Sequence, residues 1–201
     1  CLLVELADLD ATLALFDALL ADPVPGVAEV VPAARTLMIT TDPGVAADAA
    51  LAGAIAHRKP APGTAPAPRS TETVEIPVTY DGEDLRDVAD HMGLTTDQVI
   101  AAHQEVLWQV AFCGFAPGFA YMTCDDARFD LPRRSAPRTR IPAGSVALAG
   151  RFCGVYPQET PGGWQLIGRT ELPMFDLTRT LRPCCVPVCG RALSKGPPRF
   201  I

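Results

Sequence analysis

VLWQVAFCGFAPGFAYM, residues Val106–Met122, decides how the second half of this chain is read. Short apolar runs rich in aromatic and β-branched residues are cut by Gly and Pro. The same rhythm continues through SVALAGRFCGVY (Ser145–Tyr156) and WQLIGRT (Trp164–Thr170) into the tail. Apolar runs punctuated at intervals of about 8–12 residues predict an all-β barrel or sandwich. Upstream, VEIPVTY (Val74–Tyr80) alternates as a strand, and GEDLRDVADHMG (Gly82–Gly93) reads as a helix closed by its last glycine. Thr95 and Gln98 have capping-box spacing and open a second helix that runs to about Glu105.

KPAPGTAPAPRST (Lys59–Thr71) has no periodicity and reads as a linker or exposed loop. Ahead of it the order is β-α-β-β-α. Leu2–Leu6 is the first strand. Asp10 is expected to cap the helix ATLALFDALLAD (Ala11–Asp22), with Leu13, Phe16, Leu19 and Leu20 on one face. VAEVVPAARTLMITTD (Val27–Asp42) makes two strands around a turn near Pro32–Arg35. Asp42 followed by Pro43 predicts a second helix start, carrying Val45, Ala49, Leu51 and Ile55 toward His57. The expected fold class is α+β: a small N-terminal α+β domain over residues 1–70, with the Pro/Ala-rich linker at its end, followed by a β-barrel domain over residues 71–201.

The 201 residues are 48% apolar and 20% charged, enough for a packed core and against global disorder. A net charge of −6 without a basic block argues against nucleic-acid binding. Nothing reaches the ~18 apolar residues of a membrane helix, and there is no signal-peptide pattern, so a soluble cytoplasmic protein is expected. The sequence starts at Cys1 and runs straight into LLVEL, so the true N-terminus is expected to lie elsewhere. Of seven cysteines, Cys1, Cys113, Cys124 and Cys153 are scattered and read as small hydrophobes; no Cys-x-x-Cys pair exists, and no metal site is expected.

Chemistry concentrates between Phe112 and Thr170. Gly114, Gly118, Gly144, Gly162 and Gly163 let backbone N–H groups approach a ligand or serve as barrel corners. Arg133, Arg134, Arg138 and Arg140 put four cations into eight residues, and alternation sets Arg138 and Arg140 on one side of an extended segment, ready to fork onto a carboxylate or phosphate. Solvated or interface arginines are the plainer explanation. Glu159 and Thr160 precede the TPGGW turn and offer a general base and a hydrogen-bond donor. Trp164 reads as a core or interface anchor. His57, His91 and His103 have no metal spacing and read as exposed or satisfied helix residues; His103 closes a helix next to the Gly-rich block, so a place facing a cleft is its alternative. The Gly-Lys-Ser/Thr ending of a phosphate-binding loop is absent.

VAFCGFAPGFAYM, PRTRIPAGSVALAG and YPQETPGGWQLIGRT, in that order, resemble the B-subunit family of 5-oxoprolinase, also called allophanate hydrolase subunit 1, which includes the inhibitor of a sporulation histidine kinase. LLVEL, VPAART and VEIPVTYDGEDL fit as well, so the resemblance reaches about Asp176. It implies a cyclophilin-like barrel without isomerase activity. It implies work with a homologous C-subunit (the allophanate hydrolase subunit 2 type) and a third 5-oxoprolinase subunit. The complex would use ATP, bound on the complex rather than on this chain, to open the small-molecule substrate 5-oxoproline to glutamate. Phosphorylating the lactam oxygen would make the ring carbonyl electrophilic. By motif match the site comprises Glu159, Thr160 and His103 as catalytic groups, Arg138, Arg140, Ser145, Tyr156, Gly162, Gly163 and Trp164 around substrate, and Gly114, Pro117 and Gly118 as a backbone cradle. TPGGW is first a barrel turn and, by resemblance, part of a cleft shared with the partner. Inhibition of a histidine kinase and a role in allophanate or urea metabolism are the alternatives.

After LPMFDLTRT the resemblance stops: the chain reads LRPCCVPVCGRALSKGPPRFI, with Cys184, Cys185 and Cys189 clustered. Back-translated through GC-rich codons with two bases dropped, this tail reads LLRPGVRAR, like the family's closing strand. A frameshift near Thr180 is therefore expected, against a Cys-Cys-x3-Cys metal or redox site. Resequencing Thr178–Ile201 and finding an intact frame would remove the frameshift. A tail that is truly as written leaves an open edge or a substituted pairing.

Overall fold

The computed structural model describes residues 1–58 and 73–175 and the backbone of Cys189–Leu193. The chain divides into two compact units, Cys1–Arg69 and Ser70–Ile201. The linker stretch lies outside the described residues, as do Cys184 and Cys185 and most of the tail.

In the first unit, β1 (Leu2–Glu5), β3 (Thr36–Thr41) and β2 (Val27–Pro32) form an antiparallel sheet in the order β1-β3-β2. Leu37 and Ile39 of the central strand are fully buried against Leu15 and Leu19 of α1 (Leu9–Ala21) and Leu51 and Ile55 of α2 (Ala49–Ala56). Three local expectations shift. Asp8, not Asp10, caps α1, accepting the Ala11 N–H at 2.8 Å, and Leu20 is exposed rather than on the buried stripe. Asp42–Pro43 does not start a helix. Val45 N–H bonds back to Asp42 O at 3.0 Å with Gly44 at φ 85°, a turn with proline second and a left-handed glycine third. The helix begins later, where Asp48 accepts the Leu51 N–H at 3.0 Å.

The second unit starts with β4 (Thr73–Pro77), α3 (Leu85–Met92) and α4 (Thr96–Glu105). Gly93 ends α3 at φ 65°, and Thr95 and Gln98 form the capping box. Five antiparallel strands follow in the order β11-β8-β9-β6-β5: β5 (Gln109–Cys113), β6 (Ala120–Thr123), β8 (Ser145–Ala149), β9 (Phe152–Val155) and β11 (Gln165–Arg169). A separate antiparallel pair joins β7 (Arg138–Ile141) and β10 (Thr160–Gly162). The backbone of β12 (Cys189–Leu193) pairs in parallel with β4. Among the described residues the architecture is a mixed α/β arrangement of four α-helices and several sheets, mostly antiparallel.

Both faces of the five-stranded sheet are covered, which is why β8 (SVALA) is buried at every position instead of alternating. One face packs Val146, Leu148, Val155 and Ile167 against Val88, Val99 and Ala102 of the helices. The other packs Ala147, Ala149 and Leu166 under Phe119, Tyr156 and Trp164. Each fully buried side chain of this size contributes about 1.5–3 kcal/mol relative to exposure.

Candidate functional site

Gly162 and the glycine-bearing loop between β5 and β6 adjoin the aromatic side of the sheet. Trp164 is buried there, edge-on to Phe119 (5.5 Å), Tyr121 (5.6 Å) and Tyr156 (6.5 Å). TPGGW is not a tight turn: Thr160–Gly162 runs extended beside β7, with Thr160 opposite Ile141, Gly162 opposite Arg138, and an irregularity between them. The two glycines differ. A Cβ on Gly162 would lie 2.6 Å from the Tyr156 hydroxyl and 2.8 Å from Ile141 Cδ1, whereas one on Gly163 would meet nothing nearer than 3.7 Å. Gly162 is required by close approach; Gly163 is not.

The loop joining β5 to β6 is a pair of nested turns. Phe119 N–H bonds to Ala116 O at 3.0 Å across Pro117 and Gly118 (φ 86°), and Ala116 N–H bonds to Gly114 O at 2.8 Å across Phe115. Phe115 therefore sits at the centre of a γ-turn with φ 68°, and among the described residues no other non-glycine has positive φ. Such a conformation costs about 1–3 kcal/mol. Its ring is nonetheless 62% exposed, edge-on to Phe119 (5.4 Å) and Tyr156 (6.4 Å). The Gly114, Ala116 and Phe119 amides are consumed inside the loop, so the expected cradle of Gly114, Pro117 and Gly118 has little to offer a phosphate group.

The arginines are organised by a carboxylate that sequence reasoning missed. β4 continues past a bridge between Thr79 and Arg169 so that Gly82 N–H and Asp84 N–H bond to Ile167 O and Leu166 O of β11, at 3.2 and 2.9 Å. This delivers Asp84, 1% exposed, to the head of β11, where it accepts the Leu166 N–H at 2.7 Å. Arg138 donates to both Asp84 oxygens, at 2.8 and 2.9 Å, and Arg134 donates to Asp84 Oδ1. Glu83 takes Arg138 Nη2 at 2.9 Å. Burial pushes the Asp84 carboxyl up, but the Arg138 hydrogen bond, the Leu166 N–H and the charges of Arg138 and Arg134 outweigh it and hold the group below the usual range. Arg138 is therefore not presented with a free fork, contrary to the expectation from alternation. Arg140, two residues on, is exposed and pairs with exposed Glu159 at 2.6 Å.

Other expected members stand apart. Ser145 is buried and its hydroxyl donates to Pro142 O at 2.8 Å. The Thr160 hydroxyl donates to the neighbouring Pro161 O at 3.0 Å. His103 does not face a cleft. It is 2% exposed on the helix side of the sheet, with Nδ1 2.9 Å from the Tyr80 hydroxyl and Nε2 3.5 Å from Cys153 Sγ. It lines an apolar cavity of about 20 Å³ with Trp108, Met122 and Val155. Burial drives its pKa down to about 3 and pushes the Cys153 thiol up, so both stay neutral and inert near pH 7. The helix end put His103 beside the Gly-rich block in sequence, but the sheet lies between them in space. Among the described residues no group of three or more His, Cys, Asp or Glu is arranged to hold a metal ion, and no helix is long and apolar enough to cross a membrane.

The family model of the carboxyltransferase domain, subdomains C and D, matches residues 1–186. The 5-oxoprolinase B-subunit of Escherichia coli O157:H7 is 50% identical over 109 residues, 53% of this chain and 50% of that protein. Its counterpart in Bacillus subtilis is 50% identical over 105 residues, 51% of this chain and 44% of that protein. The chain belongs to the 5-oxoprolinase B-subunit family. This family member spans about half the length of the curated relatives it matches. Among solved structures it is similar to TTHA0988, with 33% identity, a TM-score of 0.72, and coverage of 99% of this chain and 41% of that one. The Kluyveromyces lactis urea amidolyase shares the fold at 17% identity and a TM-score of 0.68, over 95% of this chain and 14% of that one.

Proposed function

We propose that this chain is part of a cytoplasmic, ATP-dependent 5-oxoprolinase that opens 5-oxoproline to glutamate together with a homologous C-subunit and a third component. The observation that carries the reading is the half-identity, over 109 residues, to a protein named as the B-subunit of 5-oxoprolinase. The rim around β7 and β10 supports it. Glu159 is an exposed carboxylate oriented by Arg140 and suited to take a proton from an attacking water, and it stands next in sequence to the Thr160 hydroxyl. The Tyr156 hydroxyl and the Gly162 backbone lie against each other at the edge of the aromatic cluster, a fixed polar environment of the kind that stabilises developing charge. Three amides of the loop at Gly114–Phe119 are spent on its own turns, which supports placing ATP on the assembled complex rather than on this chain.

We take the division into residues 1–70 and 71–201 as two domains, and the second as a cyclophilin-like barrel. Pairing of β12 with β4, and the bridge from Thr79 to β11, support strand closure beyond the five-stranded sheet. A second reading, a role in urea or allophanate metabolism, is favoured by the carboxyltransferase description of the family. The test is 5-oxoproline-dependent ATP hydrolysis, measured with this chain alone and after its partners are added. Turnover restricted to the mixture is the expected result. A correctly assembled mixture that ignores 5-oxoproline but responds to urea or allophanate would replace the first reading with the second.

A further inference from the structure

Four arginines stand on this rim, and the structure commits three of them. Arg134 and Arg138 are held by Asp84, with Glu83 adding to Arg138, and Arg140 is held by Glu159. Among the described residues Arg133 has no carboxylate partner, and its side chain is exposed. Its backbone position is fixed from both sides. Arg134 N–H bonds to Gly163 O at 2.9 Å, and Gln165 Nε2 donates to Pro132 O at 3.2 Å, so residues 132–134 run alongside Gly163–Gln165. Gly163 follows the glycine whose missing side chain makes room for the Tyr156 hydroxyl. Burial pushes the Tyr121 and Tyr156 hydroxyls up; the Arg133 charge draws both down, joined at Tyr156 by that of Arg138. Beside Tyr156 stands the exposed ring of Phe115, held out in a strained γ-turn. One uncommitted, exposed cation on a rim that also carries an exposed flat apolar ring suits a small ring compound carrying a single carboxylate.

We infer that Arg133, the exposed cation held beside Gly163 on this rim, is the group that receives the carboxylate of the lactam substrate, the part sequence reasoning gave to Arg138 and Arg140. This rests on the 5-oxoprolinase reading for the identity of the ring. Arg138 holds the wall in position through Asp84. Arg133 supplies the charge that distinguishes an acid from its neutral analogue.

The experiment compares 5-oxoproline with 2-pyrrolidinone, the same lactam without the carboxylate, by calorimetric titration of the assembled complex, alongside ATP turnover. The wild type is expected to prefer the acid. Arg133→Gln is expected to weaken 5-oxoproline binding by roughly ten- to a hundredfold, the loss of a charge-assisted hydrogen bond, while leaving 2-pyrrolidinone unchanged. Arg133→Lys keeps the charge without the fork and should recover part of the preference. Equal binding of the two lactams by the wild type, no binding of the acid, or full preference retained in Arg133→Gln overturns the inference. Absent 5-oxoproline-dependent ATP turnover with the acid preference intact overturns the functional reading instead and leaves the carboxylate site standing.

Discussion

The helix face of the five-stranded sheet and its β11 edge use buried polar groups in opposite ways. On the helix face, Tyr80, His103 and Cys153 form a closed chain of neutral partners inside an apolar core. At the β11 edge, the buried group is a charged carboxylate, Asp84, and its partners reach it from the rim. A neutral network sealed from water specifies packing. A buried charge that gathers guanidinium groups at the rim builds a surface with chemistry on it. The contrast separates the residues worth testing for function from those that only look reactive in sequence.

The sharpest break in the comparison comes from Asp84. Asp84→Ala strips Arg134 and Arg138 of their shared partner and orphans the Leu166 N–H, and should cost about 3 kcal/mol of unfolding free energy, read by urea titration. A loss below about 1 kcal/mol would mean the clamp is solvated and the two regions are alike.

Next come the paired glycines. Gly162→Ala drives a methyl into the Tyr156 hydroxyl and Ile141 and should cost about 1–3 kcal/mol, while Gly163→Ala should stay within about 0.5 kcal/mol. Equal effects in thermal melts would contradict the close approach at Gly162.

The helix face has its own signature in pH. His103 titrates at about 3 folded and near 6.5 unfolded, so below pH 6.5 the unfolded chain binds a proton that the folded one refuses. The contribution of neutral His103 is complete above pH 6.5 and is lost as pH falls toward 3, with a slope of at most about 1.4 kcal/mol per pH unit. His103→Gln should flatten that part of the stability profile. An unchanged slope would mean that His103 is not sealed in the core.

The smallest effect belongs to the exposed rim pair. Arg140→Ala should change stability by less than about 1 kcal/mol, because both partners are solvated. Its consequence should be seen in turnover of the complex, through Glu159, and not in melting. A large melting shift would move Arg140 into the structural class with Arg138.

The helices α3 and α4 were legible because their boundaries are local chemistry: Gly93 in a left-handed cap, and Thr95 with Gln98 in a reciprocal box. The strands after Val106 were legible through their spacing. Asp42–Pro43 misled because a proline suits both a helix start and the second position of a turn, and Gly44 chose the turn. Asp84 was illegible for a related reason. An acid ahead of an apolar helical stretch reads as an N-cap, and Asp84 does occupy that position in α3, but its side chain makes no cap bond and reaches across to β11 and β7 instead. The outlier at Phe115 has no sequence signal, since nothing in a phenylalanine announces positive φ.

Taken alone, the sequence determined the element types, the gathering of glycine and arginine between Phe112 and Thr170, and the family, because propensity, capping and motif order act over a few residues at a time. Tertiary structure decided which of those groups are free. His103 fell behind the sheet, Arg138 was claimed by a carboxylate more than fifty residues earlier in the chain, Gly162 but not Gly163 was fixed by a neighbouring hydroxyl, and Arg133 was left uncommitted on the rim. Burial and pairing depend on what the rest of the chain brings alongside, and no local pattern carries that information.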